Sequence, residues 1–199
     1  MAKKEEHPSR DSSPKTKRII MKKSILLIFI VLLWFTACYA ETWEEWVAKC
    51  KSYKDVDKWM AKNFLYDFNR LKEAMSRKKD NLLEVNPPEI SFKLRRGVCF
   101  DAAVFAKHSL NRINPDYKAE IVHLYPGYFP DHYVCGFFVD GKLYIMDRGT
   151  GYRNMEGTYG PFQSLDEYVN KIYLRYHPKH RKLKWARFGW PPWRSNEKW

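Results

Sequence analysis

Little in this sequence could hold a metal or a disulfide framework. Only four of the 199 residues are cysteine, Cys50, Cys99 and Cys135 stand 49 and 36 positions apart, and neither His-Glu-x-x-His nor Cys-x-x-Cys occurs. Metal ligands come in tighter spacings, so no metal site and no cofactor is expected. Glycine is sparse too, nine residues without a period, which excludes a collagen-like chain. No internal repeat is visible. The longest uncharged run, Ser24 to Ala40, has seventeen residues, whereas a spanning helix usually needs about 20. At 45% hydrophobic and 30% charged residues, the composition is that of a globular protein rather than a disordered or polytopic membrane one.

What is present begins with two unlike N-terminal segments. Residues 1–20 are polar and basic, a polar extension or an upstream mis-start, and Met21-Lys22-Lys23 then leads into the apolar run Ile25 to Trp34 and a small-residue exit at Cys38-Tyr39-Ala40. A positive start, an apolar core and such an exit are the three parts of a secretory signal peptide, with cleavage after Ala40. Phe35-Thr36-Ala37-Cys38 is also similar to a lipoprotein box, and retention of residues 21–40 as a membrane anchor is the third outcome. All three place the rest of the chain outside the cytosol: secreted, periplasmic or at the cell envelope.

Eight of the 36 Lys and Arg and three of the 23 Asp and Glu fall in residues 1–40, so residues 41–199 keep 28 basic against 20 acidic residues. A basic exported domain suits anionic membrane or cell-envelope surfaces and acidic peptides as encounter partners. Its size lets it bury roughly two thirds of its unfolded surface, enough for stability without a disulfide or metal. The odd count of Cys50, Cys99 and Cys135 leaves at least one thiol outside any intramolecular disulfide.

From Thr42 to Lys78, Trp43, Trp46, Val47 and Cys50, then Val56, Met60, Phe64, Phe68, Leu71 and Met75, recur at helical spacing. Two amphipathic helices follow, with Thr42 and Asp55 as caps. Asn86-Pro87-Pro88-Glu89 ends this zone as a loop. Arg95-Arg96-Gly97-Val98-Cys99 then leads into an apolar face at Cys99, Ala102, Ala103, Ala106 and Leu110, a helix starting near Cys99. Its alanines let a sheet approach closely, and a cysteine at a helix N-terminus sits beside the positive end of the macrodipole, which favours a thiolate. A small buried cysteine packing as a hydrophobe is the bland alternative.

After a strand-like Ala119 to Tyr125, His132 to Val139 and Lys142 to Asp147 are joined by Asp140-Gly141, the signature of a type I′ hairpin. With those two as the loop, Val139 faces Lys142 and Val134 faces Asp147. His132, Val134, Phe138, Leu143, Ile145 and Asp147 then share one face, and Tyr133, Cys135, Phe137, Tyr144 and Met146 the other. His132 and Asp147 are diagonal neighbours, roughly 7 to 8 Å apart at the backbone and within side-chain reach. A thiol, an imidazole and an orienting carboxylate are the parts of a nucleophilic site. The alternative is a hairpin mouth whose two polar residues meet solvent, but this face is mostly apolar and is expected to cover the alanines of the Cys99 helix. His108 and His123 are weaker candidates, and Cys135 points to the opposite face.

Gly97-Val98-Cys99-Phe100-Asp101-Ala102 opening a helix, His132 starting a strand and Tyr144-Ile145-Met146-Asp147 closing the next resemble the transglutaminase-like branch of the papain-like fold. The resemblance spans about Asn86 to Tyr152. It implies an α+β domain over residues 41–174, with N-terminal helices and a Cys-bearing helix packed on a small antiparallel sheet. It further implies Cys99 as nucleophile, His132 as general base and acid and Asp147 as orienter, acting on peptide or protein amides. Departures are Tyr133-Val134 after the histidine, where many relatives have a small residue and Trp, and Arg148-Gly149 after the aspartate. Arg95 to Cys99 with His132 and Asp147-Arg148-Gly149 also resembles the arylamine N-acetyltransferases, whose chains are much longer. For an oxyanion, the Cys99 N–H would be one donor, and Trp59, Asn63 and Tyr133 are candidates for a second.

The stretch 175–199 is a basic, aromatic tail with eight Lys or Arg and six aromatic residues. Pro178 and Pro191-Pro192 exclude a long amphipathic helix there. Its tryptophans either pack on the domain or bind an anionic surface, and export disfavours nucleic acid as a partner. A non-catalytic envelope-bound module using this tail is the rival to an enzyme. The oligomeric state is not encoded in any of these patterns.

Overall fold

The computed structural model describes residues 40–77, 82–128, 130–177, 180, 182–191 and 194, the side chain of residue 153 excepted. The N-terminal readings for residues 1–39 lie outside the described residues. No described helix is long and apolar enough to cross a membrane.

Helix α1 (Trp43–Val47) opens with Thr42, whose hydroxyl accepts from the Glu45 N–H at 3.2 Å while Glu45 Oε2 accepts from the Thr42 N–H at 3.0 Å. That reciprocal pair satisfies two donors that the first turn leaves open. Helix α2 (Tyr53–Asn63) is capped by Ser52 rather than Asp55. Asp55 instead reaches back to accept from Ser52 N–H at 3.0 Å and Lys51 N–H at 2.8 Å. Strand β1 (Leu65–Tyr66) interrupts the helical pattern before α3 (Phe68–Ser76), so the zone holds three helices where periodicity suggests two. Pro88 does not end a helix but begins one, α4 (Pro88–Leu94), at the first position, where its missing N–H costs nothing.

Strand β2 (Arg96–Gly97) pairs in parallel with β1 and delivers the chain to α5 (Cys99–Ile113), ten of whose residues are buried. The remaining strands form one antiparallel sheet: β3 (Glu120–Tyr125), β4 (His132–Val139), β5 (Lys142–Asp147), β6 (Gly157–Phe162) and β7 (Trp185–Phe188), in spatial order β6-β5-β4-β3-β7. The β4–β5 register is the one the Asp-Gly turn dictates, with Val139 opposite Lys142 and Cys135 opposite Met146. Asp140 and Gly141 have φ of 50° and 71°, both positive as a type I′ turn requires.

Helix α5 docks on the sheet face opposite to the one expected. Ala102, Phe105 and Ala106 pack with Cys135, Phe137 and Met146, and Ala103 and Val104 with Ile121 and Tyr133. The face carrying His132 and Asp147 is covered by a C-terminal helical run: α6 (Leu165–Tyr168), a π-helical turn (Val169–Tyr173) and α7 (Leu174–Tyr176). Tyr168 and Tyr173 from this run pack on Val134, Leu143 and Ile145. The sheet is therefore apolar on both faces, and the larger Phe137 and Met146 fill the space above the small alanines. Beyond the sheet, α1, α2 and α4 close over α5 through Trp46, Trp59, Phe92 and Phe105, whose ring centroids lie 4.8–5.7 Å apart. The tail is not wholly irregular, since β7 pairs with β3 at the sheet edge, and Trp190 packs on Tyr133 at 5.2 Å.

Candidate active site

Asp101 fixes where α5 begins. Its fully buried carboxylate accepts from the Val98 N–H at 3.0 Å, the Asn86 N–H at 2.8 Å, and Arg70 through Nε at 2.7 Å and Nη2 at 3.0 Å. A bidentate guanidinium pair is geometrically specific as well as strong. Cys99 thereby occupies the first helical position, where its N–H has no acceptor within the helix and its sulfur lies at the positive end of the macrodipole.

His132 opens β4, and Asp147 closes β5. The His132 Nε2 lies 3.0 Å from both Asp147 oxygens, with both residues buried. His132 also lies beside Cys99, whose side chain contributes to its raised pKa. With Nε2 on the carboxylate, Nδ1 is the ring nitrogen left for the thiol. Although both residues sit on the face away from α5, they meet Cys99 at the end of the strands, where the chain after Asp147 runs over the first turn of the helix. Gly149 makes this crossing.

Burial alone would lower the pKa of His132, but the adjacent Asp147 carboxylate and then neighbouring Cys99 outweigh it and push it up to about 10. The ring is an imidazolium at neutral pH. The Tyr168 phenol lies near Asp147, and burial and then that carboxylate hold its pKa well above the usual value. Tyr173 stacks on His132 at 6.0 Å and 16°, and the His177 ring lies 5.7 Å from His132. Burial, then the charge of His132 and the presence of His180, push His177 down to about 3, so it is neutral.

Cys99 and His132 open into a cleft of about 560 Å³ that also exposes Tyr66, Phe68, Tyr152 and His177. The other sequence candidates sit elsewhere. His123 accepts from Trp185 Nε1 at 3.1 Å through Nδ1, so its Nε2 carries the proton and donates to Asp131 at 2.6 Å. It is a satisfied strand histidine. His108 lies nine residues beyond Cys99 in α5, half-buried, and Cys135 is buried against that helix. Trp59 stacks between Phe92 and Phe105, the Asn63 amide donates to the Trp59 carbonyl at 3.0 Å, and the Tyr133 hydroxyl donates to Asp131 at 2.9 Å. None of these three is among the described residues lining the cleft.

Tyr66, Tyr168, Tyr173 and His177 carry no local signal in the sequence, and Gly149 enters it only as part of Arg148-Gly149 after Asp147. Tyr66 shares the cleft with Cys99, and burial, then neighbouring Cys99, Asp101 and Asp147, raise its pKa, so the phenol keeps its proton. Among the described residues no group of three or more His, Cys, Asp or Glu is placed to hold a metal.

Cys99 at a helix start thus lines one cleft with His132, whose ring meets Asp147 across adjacent antiparallel strands. The family model described as transglutaminase-like domain matches residues 45–171, and the chain belongs to that family. No curated protein matches the chain.

Proposed function

We propose that the chain is an exported cysteine enzyme, secreted or held at the cell envelope, that opens peptide or protein amides through a thioester on Cys99. The observation that carries this reading is the Asp147-bound His132 ring, with both Asp147 oxygens 3.0 Å from Nε2, lining one open cleft with Cys99. The Cys99 sulfur, its proton held by His132, attacks the amide carbonyl carbon. The Cys99 N–H and the Tyr66 hydroxyl donate to the oxyanion. Collapse breaks the C–N bond, the leaving nitrogen takes the proton from His132, and the acyl group remains on sulfur. Neutral His132 then deprotonates water or an amine, which releases an acid or a new amide. Asp147 keeps the ring oriented and stabilises its charged form.

The experiment is site-resolved iodoacetamide labelling of the full chain, with Cys50 and Cys135 as internal references. Cys99 is expected to react faster than both at pH 6, and His132→Ala to slow it about 100-fold. A non-catalytic module that only keeps the fold predicts a Cys99 no more reactive than its references and indifferent to His132.

A further inference from the structure

The chain carries a formal charge of +13. Among the described residues lining the cleft none is Lys, Arg or Glu, and the charge of the His132 ring is already matched by Asp147 at 3.0 Å. The lone carboxylate, Asp131, already receives His123 at 2.6 Å and Tyr133 at 2.9 Å. His177 is neutral, pushed down to about 3, and His180, lowered by burial and then by His132, accepts or donates at 2.7 Å to the Tyr173 hydroxyl. What the cleft does present is aromatic surface left in water: Phe68 is 58% and Tyr152 65% exposed. Large apolar rings held open at a cleft mouth are more informative than scattered surface hydrophobics.

The shelf has a built backing. Tyr66 and Phe68 pack edge to face at 5.1 Å, and a Cβ on Gly151 would lie 3.0 Å from the Phe68 Cζ and 3.6 Å from the Tyr66 Cδ1. The glycine keeps the space against the rings clear of any side chain, and Leu71, one turn along α3 from Phe68, extends the apolar wall. A charged side chain seated on these rings would lose water without an ion partner among Tyr66, Phe68, Leu71 and Tyr152, which is unfavourable. An apolar one would gain by burial.

We propose that the cleft selects amide substrates by an uncharged aromatic or aliphatic side chain beside the reacting carbonyl, seated on Tyr66, Phe68, Leu71 and Tyr152, with Phe68 setting the preference. This rests on the reading of Cys99 as nucleophile and names the substrate class for that site. Acidic peptides, which the net charge of the chain would attract, are then partners for encounter only.

The experiment alkylates Cys99 in the full chain with three chloromethyl ketones, acetyl-Ala-Phe, acetyl-Ala-Glu and acetyl-Ala-Lys, in which the varied side chain stands beside the reacting carbonyl. Each rate is divided by the iodoacetamide rate of the same protein. The Phe reagent is expected to exceed both charged ones by about 10-fold or more, the range that one apolar contact commands. Phe68→Lys, at an exposed first position of α3, is expected to lower the Phe-to-Glu ratio by about 10-fold. Equal rates for the three reagents, or a fastest Glu reagent, overturn the inference while leaving the nucleophile in place. A Cys99 inert to iodoacetamide itself removes the enzyme reading and this one together.

Discussion

Gly149 crosses the first turn of α5 so closely that a Cβ on it would lie 2.7 Å from the Cys99 Cα and 2.7 Å from the Ala102 Cβ. The contact is with backbone, which cannot swing aside like a side-chain tip. Gly149→Ala is therefore expected to push the Asp147 strand end away from the helix. Urea unfolding should show a loss of about 1–3 kcal/mol, the usual cost of overpacking. Cys99 labelling should fall more steeply than stability predicts, because the same shift separates Cys99 from His132.

Asp101→Asn tests what positions the nucleophile. The substitution leaves the Arg70 guanidinium, 17% exposed, facing a neutral amide. Breaking one side of such a pair costs about 3 kcal/mol by urea unfolding. Arg70→Met should cost less than Asp101→Asn, since the carboxylate keeps its two backbone donors, Val98 and Asn86.

The hairpin was legible because Asp140-Gly141 admits one tight turn, and that turn dictates which residues share each face. The start of α5 was legible for a similarly local reason, an alanine face opening at Cys99. The docking of α5 was not. Residues 133–137 are buried on both faces, Tyr133, Cys135 and Phe137 against α5 and Val134 against Tyr168 and Tyr173, so alternation marks two faces without naming their covers. Asp55 looked like a cap because caps and third-position acids draw on the same residues. Strand β7 was hidden because Trp185 to Phe188 reads as basic and aromatic, and its pairing with β3 is a long-range fact.

Tyr168→Phe removes the hydroxyl near Asp147 and keeps the ring that fills the core beside Ile145. Removing a buried polar contact of this kind costs about 1 kcal/mol. Asp147 then holds His132 less firmly, and Cys99 labelling at neutral pH should slow several-fold. A variant with unchanged labelling would show that His132 orients Asp147 unaided.

The two histidines at the site bend the stability profile in opposite directions. His132, pushed up from 6.5 to about 10, keeps a proton in the folded state that the unfolded chain releases. Its contribution is full below pH 6.5 and is lost as pH rises through about 10. His177, pushed down from 6.5 to about 3, refuses a proton that the unfolded chain accepts, so its contribution is full above pH 6.5 and is lost as pH falls towards 3. Urea midpoints from pH 4 to 10 should fall away on both sides of about pH 6.5. His177→Phe, which keeps a ring against Tyr173, should flatten the acid side and leave the alkaline side.

Tyr66→Phe separates transition-state stabilisation from nucleophile reactivity. A peptide aldehyde adds to Cys99 to give a hemithioacetal whose oxygen occupies the oxyanion position, whereas iodoacetamide alkylates sulfur without forming one. If the Tyr66 hydroxyl is the second donor, its loss should weaken acetyl-Ala-Phe aldehyde by about 100-fold, the scale of one oxyanion contact. Alkylation should fall far less. Equal losses in both assays would instead make Tyr66 a residue that positions Cys99, since removing a donor to the oxyanion has no reason to slow a displacement at carbon that never develops negative charge on oxygen.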